Sequence, residues 1–226
     1  MILELATFAL ASCRIAADLG VHRLELCEDY TVGGVTPSLE FFEQAREIFP
    51  GKIMVMIRPR SGSFIYSEEE FNIMLSDIAI FKKAGADGFV SGFFNSDHTI
   101  NENQLKQFAD TCEPFPFTFH RSFDEIQDWK SGLDVLVRHG CARLLTSGDG
   151  RNALEGLGRL KEMMEYVKDE LIILPGGGIR SENLQTILDV CSPKEIHTAG
   201  ILKENLQDGK FVADEGELLK MLEILS

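Results

Sequence analysis

Short apolar runs alternate with longer stretches of helical periodicity along the whole chain. Ile2–Leu5, Arg23–Leu26, Lys52–Ile57, Gly88–Ser91, Phe117–His120, Arg143–Thr146, Leu171–Pro175 and Glu195–Thr198 read as strands. Helical patterns follow over Thr7–Leu19, Ser38–Phe49, Ser67–Ala84, Asn101–Thr111, Gln127–His139, Ala153–Val167, Ser181–Val190 and Gly216–Leu225. The punctuation agrees with this reading. Ser38 stands as an N-cap, Ser67-Glu68-Glu69-Glu70 spells a capping box, and Gly20, Gly85 and Gly140 stop helices.

Eight strand–helix units predict an α/β fold, a parallel sheet closed into a (β/α)8 TIM barrel, with residues 1–226 forming a single domain. The alternative is an open doubly wound sheet. That arrangement usually places a glycine-rich loop after its first strand. Here Ala6-Thr7-Phe8 follows, without glycine. No Pro-, Gly- or Ser-rich linker marks a domain boundary.

Strands of a parallel barrel are covered on both faces and should be apolar throughout. Several are not. Glu4 lies within Ile-Leu-Glu-Leu and Glu25 within Leu-Glu-Leu-Cys. Arg58 ends the third strand, His120 and Arg121 the fifth, Thr146 and Ser147 the sixth, and His197 lies near the end of the eighth. Barrel active sites lie at the C-terminal mouth. The pattern therefore predicts one pocket collecting carboxylates, imidazoles, a guanidinium and a thiol. A buried ion-pair network that only stabilises the barrel is the competing explanation. Gly176, Gly177 and Gly178 follow the seventh strand and lead into the helix at Ser181. With the helix N-terminus behind them, they suit an anion.

Charge sharpens this picture. Lys and Arg total 22 against 36 Asp and Glu, a net charge of −14. Such a surface disfavours nucleic acid and anionic membrane as partners. It leaves room for a small anionic ligand at a local cluster of Arg58, Arg60 and Arg121. The five cysteines, Cys13, Cys27, Cys112, Cys141 and Cys191, are odd in number and irregularly spaced. They suit a reducing, cytoplasmic setting and not a disulfide framework. No signal-peptide pattern opens the chain, and no apolar run reaches the ~18 residues of a membrane span. Barrels commonly self-associate, so a homodimer is the expectation for the oligomeric state.

The motifs Glu25-Leu26-Cys27, Gly33-Gly34-Val35-Thr36-Pro37-Ser38, Met56-Ile57-Arg58-Pro59-Arg60, Phe119-His120-Arg121-Ser122-Phe123-Asp124, Leu145-Thr146-Ser147-Gly148 and Pro175-Gly176-Gly177-Gly178-Ile179 occur in order. Together they resemble the CutC family, from Glu4 to about His197. The resemblance implies a TIM barrel and a role in copper homeostasis or copper binding. Copper(I) becomes an implied ligand, with Cys27 as the metal candidate. Many members carry a cysteine two residues after the first-strand glutamate, where this chain has Ala6. That substitution weakens a two-thiolate site.

Two functions follow. In the first, Arg58, Arg60, Arg121, Asp124, Thr146, Ser147, Gly176, Gly177, Gly178 and His197 bind a small anionic or phosphorylated molecule. Glu4, Glu25 and His120 are then the acid–base candidates. In the second, the protein binds copper(I) through Cys27. No motif identifies a reaction. Phe8, Phe64, Tyr66, Phe93 and Phe123 are candidate aromatics for the mouth.

Overall fold

In the computed structural model, residues 1–202, 206–207 and 210–226 are described. Eight strands lie in the order of the predicted barrel: β1 (Ile2–Thr7), β2 (Arg23–Leu26), β3 (Lys52–Met56), β4 (Gly88–Ser91), β5 (Phe117–Phe119), β6 (Arg143–Thr146), β7 (Ile172–Pro175) and β8 (Glu195–Thr198). Between and after them run α1 (Leu10–Leu19), α2 (Leu39–Ile48), α3 (Glu68–Ala84), α4 (Glu102–Cys112), α5 (Trp129–Arg138), α6 (Leu157–Val167), α7 (Ser181–Cys191) and α8 (Glu215–Leu225). Two short antiparallel strands, β9 (Leu206–Gln207) and β10 (Lys210–Phe211), lie between β8 and α8.

Parallel pairing runs from β7 through β6, β5, β4, β3, β2 and β1 to β8. β7 and β8 meet at the seam, where Thr198 Oγ1 donates to the Ile179 carbonyl just beyond β7 at 2.9 Å. The sheet is a nearly closed TIM-like barrel. The first strand runs two residues further than its apolar pattern suggests, to Thr7, and α1 starts at Leu10.

Side chains alternate between the two faces of each strand. Leu3, Leu5, Leu24, Leu26, Ile53, Val55 and Ile57 join the helices in the outer core. Ala6, Cys27, Met54, Met56 and Val90 form a small apolar cluster inside the barrel. Gly88 makes room for it, since a Cβ there would stand 2.3 Å from Met54 Cε. Helix starts are sealed as the sequence predicts. Ser67 Oγ accepts from Glu70 N at 3.2 Å and Glu70 Oε2 accepts from Ser67 N at 2.9 Å. Losing such a cap costs ~1 kcal/mol.

Candidate functional site at the barrel mouth

A cavity of about 490 Å³ opens at the C-terminal ends of the strands. Beneath it the barrel interior is ionic. The register sets Glu4 opposite both Arg23 and His197, and Ala6 opposite Glu25. Arg143 Nε donates to Glu195 Oε2 at 2.8 Å, and Arg23 Nη2 donates to the same oxygen. Arg23 Nε donates to Glu4 Oε2 at 2.5 Å. Glu4 Oε1 meets His197 Nδ1 at 2.8 Å, and His197 Nε2 faces Glu25 Oε2 at 3.5 Å. One chain of alternating charge therefore climbs from the barrel floor to the mouth. Glu4, Arg23 and Glu25 are at most 3% exposed.

The network separates its carboxyls. Burial alone would raise Glu4, but the hydrogen bond with His197 and the charge of Arg23 hold it down to about 2. Glu25 lacks such support. Burial, with the nearby charge of Glu4, pushes it up to about 7 despite the pull of His197. Burial works against a charged His197, yet Glu25 and Glu4 together raise its pKa. His120 moves the other way. Burial and the charge of Arg58 hold it down to about 3. Its Nδ1 accepts from Ser122 N at 3.3 Å, which places the ring hydrogen on Nε2.

Arg58 is 5% exposed. Its guanidinium donates to the carbonyls of Val32, Gly34 and Gly62 at 2.9–3.0 Å and lies 4.7 Å from the centre of the Phe64 ring. Among the described residues no carboxylate pairs with it. Arg58 Nε, His120 Nε2, Ser122 Oγ and Glu25 Oε1 are buried and have no partner among the described residues. All four belong to residues lining this cavity.

The sequence candidates divide into three groups. Glu25, Cys27, Arg58, His120, Arg121, Gly177, Gly178 and His197 line the cavity, as do Phe8 and Phe64. Asp124, Thr146, Ser147 and Gly176 stand behind the lining. The Asp124 carboxylate accepts from Thr146 Oγ1, from Ser147 Oγ at 2.7 Å and from Arg121 Nε at 3.1 Å. This cluster aims Arg121 across the loop after β7. Gly177 must be glycine there, with φ 98° and a Cβ position 2.9 Å from Arg121 Cζ. Gly176 packs on Leu145 and His197. Glu4, expected near a strand end, lies in mid-strand one layer below the mouth.

Three expectations need correction. Arg60 does not reach the mouth: Glu70 takes it, with contacts of 2.5 and 3.1 Å. The N-terminus of α7 does not back the glycines as an anion site. Glu217 from α8 already accepts from Ser181 N at 2.6 Å and Ser181 Oγ at 2.8 Å. Tyr66, Phe93 and Phe123 are in the outer core, not the mouth.

Tyr30 and Glu125 are lining residues that sequence reasoning missed, and so is Arg180. It donates to the carbonyls of Ile179 and Ile201 and to Thr198 Oγ1. Its signal was a basic residue two positions after the glycine turn.

Copper(I) favours thiolate and thioether donors. Cys27 shares its cluster with Met54 and Met56 but is the one cysteine lining the cavity among the described residues. Burial, with the charges of Glu25 and Glu4, pushes its thiol well above the ordinary range. Position 6 supplies no second sulfur. Among the described residues no three His, Cys, Asp or Glu side chains gather as a metal cage. These donors do not fit a ready-made copper(I) centre.

Comparison with known proteins agrees with the motifs. The chain is 40% identical over 178 residues to a human protein named "Copper homeostasis protein cutC homolog", covering 79% of this chain and 65% of that one. It thus spans about two-thirds of the human relative's length. A CutC family protein from Enterococcus faecalis is 36% identical over 83% of this chain and 93% of its own length. The crystal structure of a putative copper homeostasis protein CutC from Streptococcus agalactiae superposes with a TM-score of 0.83 at 30% identity, covering 88% of this chain and 98% of that one. The sequence model of the CutC family matches residues 1–202, and the chain belongs to that family.

Proposed function

We propose that the protein serves copper homeostasis through a small anionic ligand taken at the barrel mouth. The cellular half of this reading is supported by the names of the relatives. The molecular half is carried by Arg58. A buried guanidinium held by neutral carbonyls beside an aromatic ring and a phenol, with no carboxylate among the described residues, costs several kcal/mol. An anion meeting its Nε–H offsets that cost and completes its hydrogen bonding. Arg121 and Arg180 add positive charge to the same cavity. A chain of net charge −14 thus gathers three guanidinium groups at one mouth.

The test is a thermal melt with inorganic phosphate and sulfate, wild type against Arg58→Gln. At a hundredfold excess over Kd, binding adds ~2.7 kcal/mol, or roughly 5–10 °C in a chain of this size. The rise should vanish in the variant. No rise in the wild type with any phosphate or carboxylate anion would sink the molecular half. Direct copper(I) capture, the other meaning of the relatives' names, would centre on Cys27. Copper(I) titration against a competing chelator separates the two. The present reading expects equal, weak binding by wild type and Cys27→Ser.

A further inference from the structure

We propose that the mouth catalyses proton transfer at a carbon beside a carbonyl, in a small hydroxy-carbonyl compound bearing a phosphate or carboxylate, with Glu25 as base and His120 as donor to the carbonyl oxygen. The inference rests on the anion reading above and adds a reaction to it.

Two unpartnered groups face one cavity and are chemically opposite. Glu25 Oε1 is an acceptor and His120 Nε2 a donor, both buried. They stand on β2 and just beyond β5, three strands apart in the sheet, so a ligand fits between them. Each is fixed in place. The other oxygen of Glu25 faces His197, and the backbone N–H of Ser122 takes His120 Nδ1. Gly92 fits the ring closely, since a Cβ there would lie 2.6 Å from His120 Cε1.

The surroundings suit these roles. A carboxyl held at about 7 exchanges protons readily at neutral pH, and an imidazole held near 3 stays neutral and donates. Covalent routes lack a nucleophile among the described residues. No lysine among those residues lines the cavity, and the Cys27 thiol stays protonated. The Nδ1 of His120 is bonded to Ser122 N, leaving that nitrogen unable to take the Ser122 hydroxyl proton.

The step balances without an oxidant. Glu25 Oε1 takes the proton from the hydroxyl-bearing carbon. That C–H electron pair becomes the C=C bond, and the carbonyl π pair moves onto oxygen. His120 Nε2 gives its hydrogen to that oxygen and takes the one from the neighbouring hydroxyl. Glu25 returns its proton to the former carbonyl carbon, moving the carbonyl by one position, or to the original carbon, exchanging its hydrogen with solvent.

The experiment is ¹H NMR in D₂O with glyceraldehyde 3-phosphate, dihydroxyacetone phosphate, ribulose 5-phosphate and hydroxypyruvate, alongside their melting shifts. At least one compound should raise the melting temperature of the wild type but not of Arg58→Gln. That compound should lose its α C–H signal to deuterium at least ~100-fold faster than in buffer. Glu25→Gln should keep the melting shift and lose the exchange by ~100-fold or more. Should Glu25→Gln fail to fold, Glu25→Asp serves, with retained binding and slowed exchange expected. A compound that binds through Arg58 without exchanging deuterium overturns this inference and leaves the anion reading standing. Exchange that survives in the Glu25 variant also overturns it. If none of the four binds while inorganic phosphate still raises the melting temperature, this inference falls and the anion reading stands; if phosphate and sulfate fail as well, both fall.

Discussion

Glu4→Gln removes the charge that joins Arg23 to His197 inside the barrel. Glu4 is 1% exposed and bonded to both partners. Holding this carboxyl from its ordinary 4.5 down to about 2 corresponds to ~3 kcal/mol of stability at neutral pH. Breaking a buried pair costs ~3–5 kcal/mol by a separate line of reasoning. Against a total of ~5–15 kcal/mol, this is a large fraction. The variant should melt roughly 6–12 °C lower. The sign of the pH dependence follows. A depressed carboxyl stabilises the folded state above its unfolded value and loses that contribution as pH falls through 4.5 towards 2. The gap between wild type and variant, read by urea unfolding, should narrow from ~3 kcal/mol at pH 7 to ~2 at pH 3.5. A variant within ~0.5 kcal/mol of wild type at pH 7, or a gap independent of pH, would refute the reasoning.

Two further outcomes follow from the geometry. Gly177→Ala places a Cβ against Arg121 at a φ that side chains avoid, so stability should fall by ~1–3 kcal/mol and phosphate affinity about tenfold; melting and titration curves that match wild type would contradict the packing. The Cys27 thiol, 1% exposed and raised in pKa, should react at least ~100-fold more slowly with a thiol reagent at pH 8 in the folded protein than in urea, as read by peptide mass spectrometry; labelling at the unfolded rate would place it at the surface.

The barrel was legible because its strands are short apolar runs and its helices carry their own caps and stops. The mouth was legible because Glu25, Arg58, His120 and His197 interrupt apolar strands where polarity is expensive. The floor of the barrel was not. Arg23, Arg143 and Glu195 each open a strand, a place where a charge reads as solvent-facing. Only closure brings Arg23 to Glu195, 172 positions away. Tertiary contacts also decided the failed expectations. Glu217 fills the α7 N-terminus from a different helix, and Glu70 draws Arg60 away from the mouth. Loops explain the rest. Thr146 and Ser147 are polar strand-end residues like the others, but they bond Asp124 in the turn after β5, and that carboxylate orients Arg121.

The central claim is that a small anion binds at Arg58 in the barrel mouth. A crystal soaked in tungstate and measured for anomalous scattering tests it directly. A peak within hydrogen-bonding distance of Arg58 Nε, absent from Arg58→Gln crystals, is the predicted result. Tungstate found only elsewhere on the molecule, with the mouth free of it, would contradict the account.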